Sequence, residues 1–266
     1  MNPFKKAVTT TLIFCVFLSV KAQITDSTHY ILIHGDTLPT FINRNRPVNK
    51  KHFTPKSLLI PGAMIAYGFL SLGNDGLKSL NQELKEDIWT ERPHKLINAD
   101  NFLMLSPAIA VYGLNATGIK GKNNFQDRTM ILLLSNIIAN STVFTLKKLS
   151  HQLRPDGSNY HSFPSGHTAE AFASAEFLYQ EYRGVSPWYG LAGYAIATTT
   201  GYLRIYNNKH WFSDVVTGAG IGIVSSKIAG WLYPKIKRHF SDKPTGTIIM
   251  PGYQNNSLGI ILMHSF

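Results

Sequence analysis

The sequence predicts an all-α protein: a bundle of six helices with a short C-terminal β-hairpin. Three observations carry this. Only 15% of the 266 residues are charged, against about 25% in an ordinary soluble domain. The hydrophobic residues, 44% of the chain, gather in uncharged runs of helical length. Those runs are rich in Gly, Ala, Ser and Thr, which let helix backbones approach closely, as membrane bundles favour. Such a chain buries an ample core, which excludes disorder. Lys and Arg number 26 against 15 Asp and Glu, a formal +11. That balance suits anionic partners, whether phosphates, acidic headgroups or nucleic acid, and charge alone does not choose among them.

Residues 1–22 read as a signal peptide: Lys5 and Lys6, an apolar run from Ala7 to Val20, then Val20 and Ala22 at the −3 and −1 positions of a cleavage site. Cleavage removes Cys15 and three lysines with no acid, so +11 falls to +8 and the mature chain has no cysteine. A disulfide framework, a thiolate metal site and a cysteine nucleophile are then excluded. An uncleaved N-terminal anchor is the alternative. Residues 23–56, with Pro39, Pro47 and Pro55 among Arg44, Arg46, Lys50, Lys51 and Lys56, form an extended basic lead-in. Residues 57–234 hold the six runs: Ser57–Asn74, Asn101–Ile119, Thr129–Leu146, Ser165–Tyr182, which Glu170, Glu176 and Glu181 interrupt, Gly184–Leu203, and Val215–Ser226 continuing past Lys227 to Tyr233. Asp75–Asp100, mixed in charge and carrying Trp89, reads as an amphipathic surface helix. Residues 235–266 are a basic tail and a hairpin, two β-branched runs around a Gly/Asn turn.

The runs sit at the lower border of the about 20 residues that a spanning helix needs. If they span, Lys120, Lys122, Arg128, Arg183, Lys235, Lys237 and Arg238 share one side, which the positive-inside tendency places in the cytoplasm. A cleaved signal followed by six crossings would turn those loops outward. Either the signal is not cleaved, or the first run does not cross, or none crosses and the bundle is soluble.

Polar residues concentrate at three helix ends. Lys147 and Arg154 lie two helical turns apart, so both can face one anion; cations at a helix C-terminus also simply complement its dipole. Ser165-Gly166-His167 opens the fourth run, where free N–H groups at the positive end of a dipole suit a phosphate, though Ser165 also serves as a plain N-cap. Arg204, His210 and Asp214 form the third cluster. His210 and Asp214 at i, i+4 share a helical face, so the carboxylate can fix one ring nitrogen and leave the other as a nucleophile. The same spacing occurs in ordinary surface pairs, and it is the conjunction of three clusters in a charge-poor chain that points to chemistry.

Lys147-x6-Arg154-Pro155, Pro164-Ser165-Gly166-His167 and Arg204-x5-His210-x3-Asp214 together resemble the three-part signature of the type 2 phosphatidic acid phosphatase and vanadium haloperoxidase superfamily, over residues 100–233. Leu203 stands where the family usually has Ser before the arginine. The Phe-Pro-Ser-Gly-His-Thr and Asn-Asn-Lys-His-Trp stretches are similar to Bacteroidetes-type lipid A phosphatases. The resemblance implies a six-helix bundle of this kind, with His210 as a nucleophile that forms a phosphohistidine, Asp214 orienting it, and His167 protonating the leaving group and then activating water. It implies that Lys147, Arg154, Arg204, the Ser165 hydroxyl and the Gly166 backbone hold the phosphoryl oxygens. No cofactor and no metal are implied, since three cations take the metal's place. Lys148, His151, Asp156 and His161 have no motif position. The implied activity is hydrolysis of a phosphorylated envelope lipid (lipid A, undecaprenyl diphosphate or a phosphatidyl phosphate) at the periplasmic side of a bacterial cytoplasmic membrane, with no nucleic-acid partner and an unspecified oligomeric state. A soluble periplasmic acid phosphatase is the alternative, and a vanadate-dependent haloperoxidase a distant third.

Overall fold

The computed structural model describes residues 54–241, 247–254 and 257–264. The expected signal peptide, and the lead-in up to residue 53, lie outside the described residues. Eight α-helices are present among them: α1 (Leu59–Gly73), α2 (Asp75–Lys85), α3 (Asp100–Leu103), α4 (Ser106–Ala116), α5 (Phe125–Ser150), α6 (Gly166–Tyr182), α7 (Pro187–Tyr206) and α8 (Phe212–Ser241). A 3-10 turn, Pro55–Leu58, leads into α1, and a π-helical turn, Glu86–Thr90, continues α2. The count is eight where six were expected. One addition is the amphipathic segment, helical only over α2 and its π turn. The other arises because the second run divides at Ser106-Pro107: Pro107 donates no N–H, so it starts a new helix instead of continuing α3.

Side-chain caps fix four of the eight starts. Asn74 accepts from the Leu77 N–H, Asn124 from Asp127, Ser165 from Thr168 and Ser186 from Trp188. His151, in the left-handed region at φ 45°, ends α5. Pro234 interrupts neither α8 nor the bundle, and the helix continues through the basic stretch to Ser241. Beyond it, β1 (Thr247–Gln254) pairs antiparallel with β2 (Ser257–His264), Thr247 opposite His264 and Gln254 opposite Ser257.

α8 is the central helix and packs on α1, α5 and α6, while α6 also packs on α4 and α7. α6 and α8 touch at backbone distance: a Cβ built on Gly222 would lie 2.1 Å from the Ala169 carbonyl oxygen, and one on Gly218 2.5 Å from that of Ser165. Phe177, Tyr182, Val111, Ile131 and Ala229 form the core nearer the other end of these helices. α5 is patterned inside out. Its buried positions include Ser135 and Ala139, whereas Met130, Leu133, Ile137 and Phe144 face outward. Pro55–Gly73, Phe125–Ser150 and Phe212–His239 are each long and apolar enough to cross a membrane, and an outward apolar face with small residues inside is the pattern a lipid surround favours.

Because these helices alternate in direction, the C-terminal ends of α5 and α7 and the N-terminal ends of α6 and α8 meet at one end of the bundle. The Ser165 N–H donates to the Asp214 carbonyl there. At the other end the Lys122 N–H donates to the Glu181 carbonyl, and Lys237 pairs with Asp127. Arg128 and Lys147 on α5 mark the two ends, about 28 Å apart at 1.5 Å per residue.

Candidate active site

All three clusters converge at that first end. His210 does not share a helix with Asp214 as the spacing suggested. It sits in the turn between α7 and α8, with Asp214 in the first turn of α8, and both are buried. The pairing is made by the turn itself: Asp214 Oδ2 accepts the Trp211 backbone N–H at 2.9 Å, which brings His210 Nδ1 to 3.4 Å from the same oxygen. The Ser162 hydroxyl donates to Oδ2 as well, at 2.5 Å. Asp214 Oδ1 is buried and has no partner among the described residues.

The loop between α5 and α6 is drawn over this pair. Lys147 Nζ donates to the carbonyls of His161 (2.6 Å) and Ser162 (3.3 Å), and Ser150 to that of Phe163 (3.1 Å). Trp211 Nε1 donates to the Leu153 carbonyl at 2.8 Å, and Lys209 pairs with Asp156 at 2.8 Å, so the His210 turn is stitched to the Arg154 loop. Asp156, which has no motif position, thus has a structural partner. His161 contributes its carbonyl to Lys147, and its ring lies 6.5 Å from that of His151.

His167 stands in the first turn of α6 with Nε2 2.8 Å from Asn101 Oδ1. Ser165 is fully buried, and its hydroxyl is engaged with Thr168 as the cap of α6. Val143 Cγ1 is the nearest neighbour of a Cβ at Gly166, at 3.6 Å. Arg204 Nη1 pairs with the buried carboxylate of Asp100 on α3. Arg154 Nε and Arg204 Nε are both buried donors without a partner among the described residues. Unpartnered buried N–H groups are costly, and two such guanidinium nitrogens, on side chains close enough for Arg204 to depress Arg154, leave that cost to be relieved by an anion.

Burial, only partly offset by the Asp214 hydrogen bond and charge, pushes His210 down to about 4, with Lys147 and Arg204 adding to the depression. His167, near the start of α6, is lowered by burial first and then by Arg204, against the opposing pull of Asp100. Arg154 is lowered by burial and by Arg204. The site is therefore cationic while both of its imidazoles favour the neutral form.

Sequence reasoning did not find Asp100, Asn101 and Ser162. Asp100 and Asn101 stood at the mouth of an uncharged run, a position that carried a signal; Ser162 lay in a polar loop and carried none.

Residues 128–238, the part of the bundle that carries all three clusters, match the model of the PAP2 superfamily. A lipid A 1-phosphatase of Porphyromonas gingivalis is 39% identical over 148 residues, which are 55% of this chain and 32% of that protein. The chain thus spans about a third of the length of that relative. Among solved structures, Aquifex aeolicus LpxE is similar at 27% identity over 56% of this chain and 94% of its own, with a TM-score of 0.42. The first transmembrane PAP2 type phosphatidylglycerolphosphate phosphatase from Bacillus subtilis is similar at 21% identity over 67% and 98%, with a TM-score of 0.47.

Proposed function

We propose that the protein is a metal-independent phosphatase that removes a phosphate from an envelope lipid through a phosphohistidine. The observation that carries this reading is the pair of unpartnered guanidinium nitrogens, Arg154 Nε and Arg204 Nε, in the same buried site as a neutral histidine held by a carboxylate. The phosphoryl group sits among Lys147, Arg154 and Arg204, whose three charges take the place of a metal and stabilise the transition state. Gly166 presents its backbone to the same oxygens at the α6 N-terminus. Ser165, engaged as the cap, holds that N-terminus in shape. His210 Nε2 attacks phosphorus as the bond to the lipid oxygen breaks, and Asp214 steadies the growing imidazolium through Nδ1–H. His167, its ring fixed by Asn101, gives its proton to the leaving oxygen. It then takes one from the water that cleaves the phosphorus–nitrogen bond. The phosphate dianion raises His167 toward its acid form, opposing the local cations.

A lipid substrate is supported by the outward apolar face of α5, and lipid A in particular by the name of the relative from P. gingivalis. The site faces the periplasm, opposite the basic loops. The test is phosphoenzyme trapping on the full chain with 32P-labelled lipid A. The His210→Ala variant is expected to form no labelled protein and no free phosphate, and His167→Ala to retain label when the leaving group departs unprotonated. Label retained on His210→Ala would overturn the assignment.

A further inference from the structure

The end of the bundle away from the site holds a second polar cleft, of about 360 Å3. Lys120, Lys122, Asn123, Asn124 and Arg128 line it together with Phe125 at the start of α5. Arg128 is 2% exposed. Its Nη2 donates to the Asn123 carbonyl at 2.5 Å and its Nε to that of Asn124 at 3.3 Å. Its Nη1 is buried with no partner among the described residues. A guanidinium this deep is ordinarily neutralised, and the nearby carboxylates are committed elsewhere. Glu181 accepts from the Asn123 backbone and side chain. Asp127 accepts from Lys237, Tyr233 and Asn124. No ion pair joins either acid to Arg128 among the described residues. The first turn of the 26-residue α5 adds the positive end of its dipole. Lys120 and Lys122, both exposed, stand at the rim.

We propose that this cleft binds a phosphate group, with Arg128 Nη1 as the buried donor and Lys120 and Lys122 as the outer cations. A tetrahedral oxyanion satisfies all three at once and also suits a helix N-terminus. The group comes either from an anionic lipid headgroup at the membrane surface or from free phosphate. The bound anion would join the α4–α5 loop to α5 and so brace the end of the bundle at which Glu181 and Tyr182 anchor α6.

Hydrogen exchange over residues 118–130 reads this cleft separately from the catalytic end. The full chain is measured in nanodiscs of phosphatidylcholine, in nanodiscs containing phosphatidylglycerol, and in the first nanodiscs with added inorganic phosphate. Slower exchange with phosphatidylglycerol alone assigns the headgroup, with phosphate alone the free ion, and with both a site that takes either. The Lys120→Gln/Lys122→Gln variant, altered only at exposed positions, is expected to raise the half-saturating concentration by about tenfold, the loss of two charge-assisted contacts. No change in exchange with any addition would overturn the proposal, and so would saturation of the variant at the wild-type concentration.

Discussion

The Asp214 carboxylate gathers all its partners among the described residues on one oxygen: the Ser162 hydroxyl, the Trp211 amide and His210 Nδ1 all meet Oδ2. Removing the carboxylate's charge while keeping its shape therefore leaves the His210 tautomer unfixed. Asp214→Asn is expected to lower single-turnover hydrolysis by roughly two to four orders of magnitude, by analogy with the aspartate that orients the catalytic histidine in serine proteases. Ser162→Ala removes one neutral donor and is expected to cost about tenfold in the same assay, with partial recovery in Ser162→Thr. The burial of His210 also sets an acid limit. Its ordinary value of 6.5 falls to about 4 in the fold, so between those values the unfolded chain binds the proton that the native one refuses. The stabilisation is fully present above pH 6.5 and is lost as pH falls toward 4, by about 3 kcal/mol at the limit. A His210→Asn variant, which cannot titrate, is expected to show a flatter fall of melting temperature over that window when both proteins are followed in detergent. Equal slopes for the two proteins would remove His210 from the acid response.

At the scale of elements, the site depends on the close approach of α6 and α8. Gly222→Ala forces a methyl group to within 2.1 Å of the Ala169 carbonyl oxygen and is expected to cost at least about 1–3 kcal/mol by overpacking. Gly62, on the exposed side of α1 with open space around it, is the control, and Gly62→Ala is expected to raise the melting temperature slightly through helix propensity. Comparable losses at the two glycines would show that the contact is not tight. Four of the six runs were legible as long uncharged stretches bounded by polar residues, Val215–Tyr233 was legible despite Lys227 and Ser165–Tyr182 despite Glu170, Glu176 and Glu181, and all six fall on helix in the structure. What was not legible depended on partners distant in sequence. The division at Ser106-Pro107 required weighing one missing N–H against an otherwise continuous apolar run. The placing of His210 in a turn required knowing that Asp214 accepts the Trp211 N–H, since the i, i+4 spacing reads equally as one helical face. Asp100 lies 104 residues from its partner Arg204, and no local pattern reports such a pair. The three motif clusters were found because their polar residues gather at the ends of apolar runs, which is why the cations and histidines were named before their supporting hydrogen bonds.

For the whole molecule, the alternation of α5 to α8 puts the candidate site and the basic loops at opposite ends. Ser158 is exposed on the loop between α5 and α6 and Gln126 is exposed at the other end of α5. Single cysteines at these positions, in a chain carrying Cys15→Ser, are expected to react differently with a membrane-impermeant maleimide in intact cells. Labelling at Ser158 alone fits a bundle that crosses the membrane with its site outward, and labelling at both fits a fully exported one. Labelling at Gln126 alone would place the site in the cytoplasm and overturn the proposed orientation. For the lipid substrate proposed above, the glycine contact between α6 and α8 also limits the route of entry. These two helices carry His167 and Asp214, and with backbone against backbone at Gly218 and Gly222 neither can slide or roll past the other without collision. The spacing between His167 and the carboxylate that holds His210 is thus set like a fixed gauge. Whatever yields to admit a bulky two-chained or many-chained molecule must be sought in the thinner pieces around that gauge, above all in α3 and the His151–Pro164 loop.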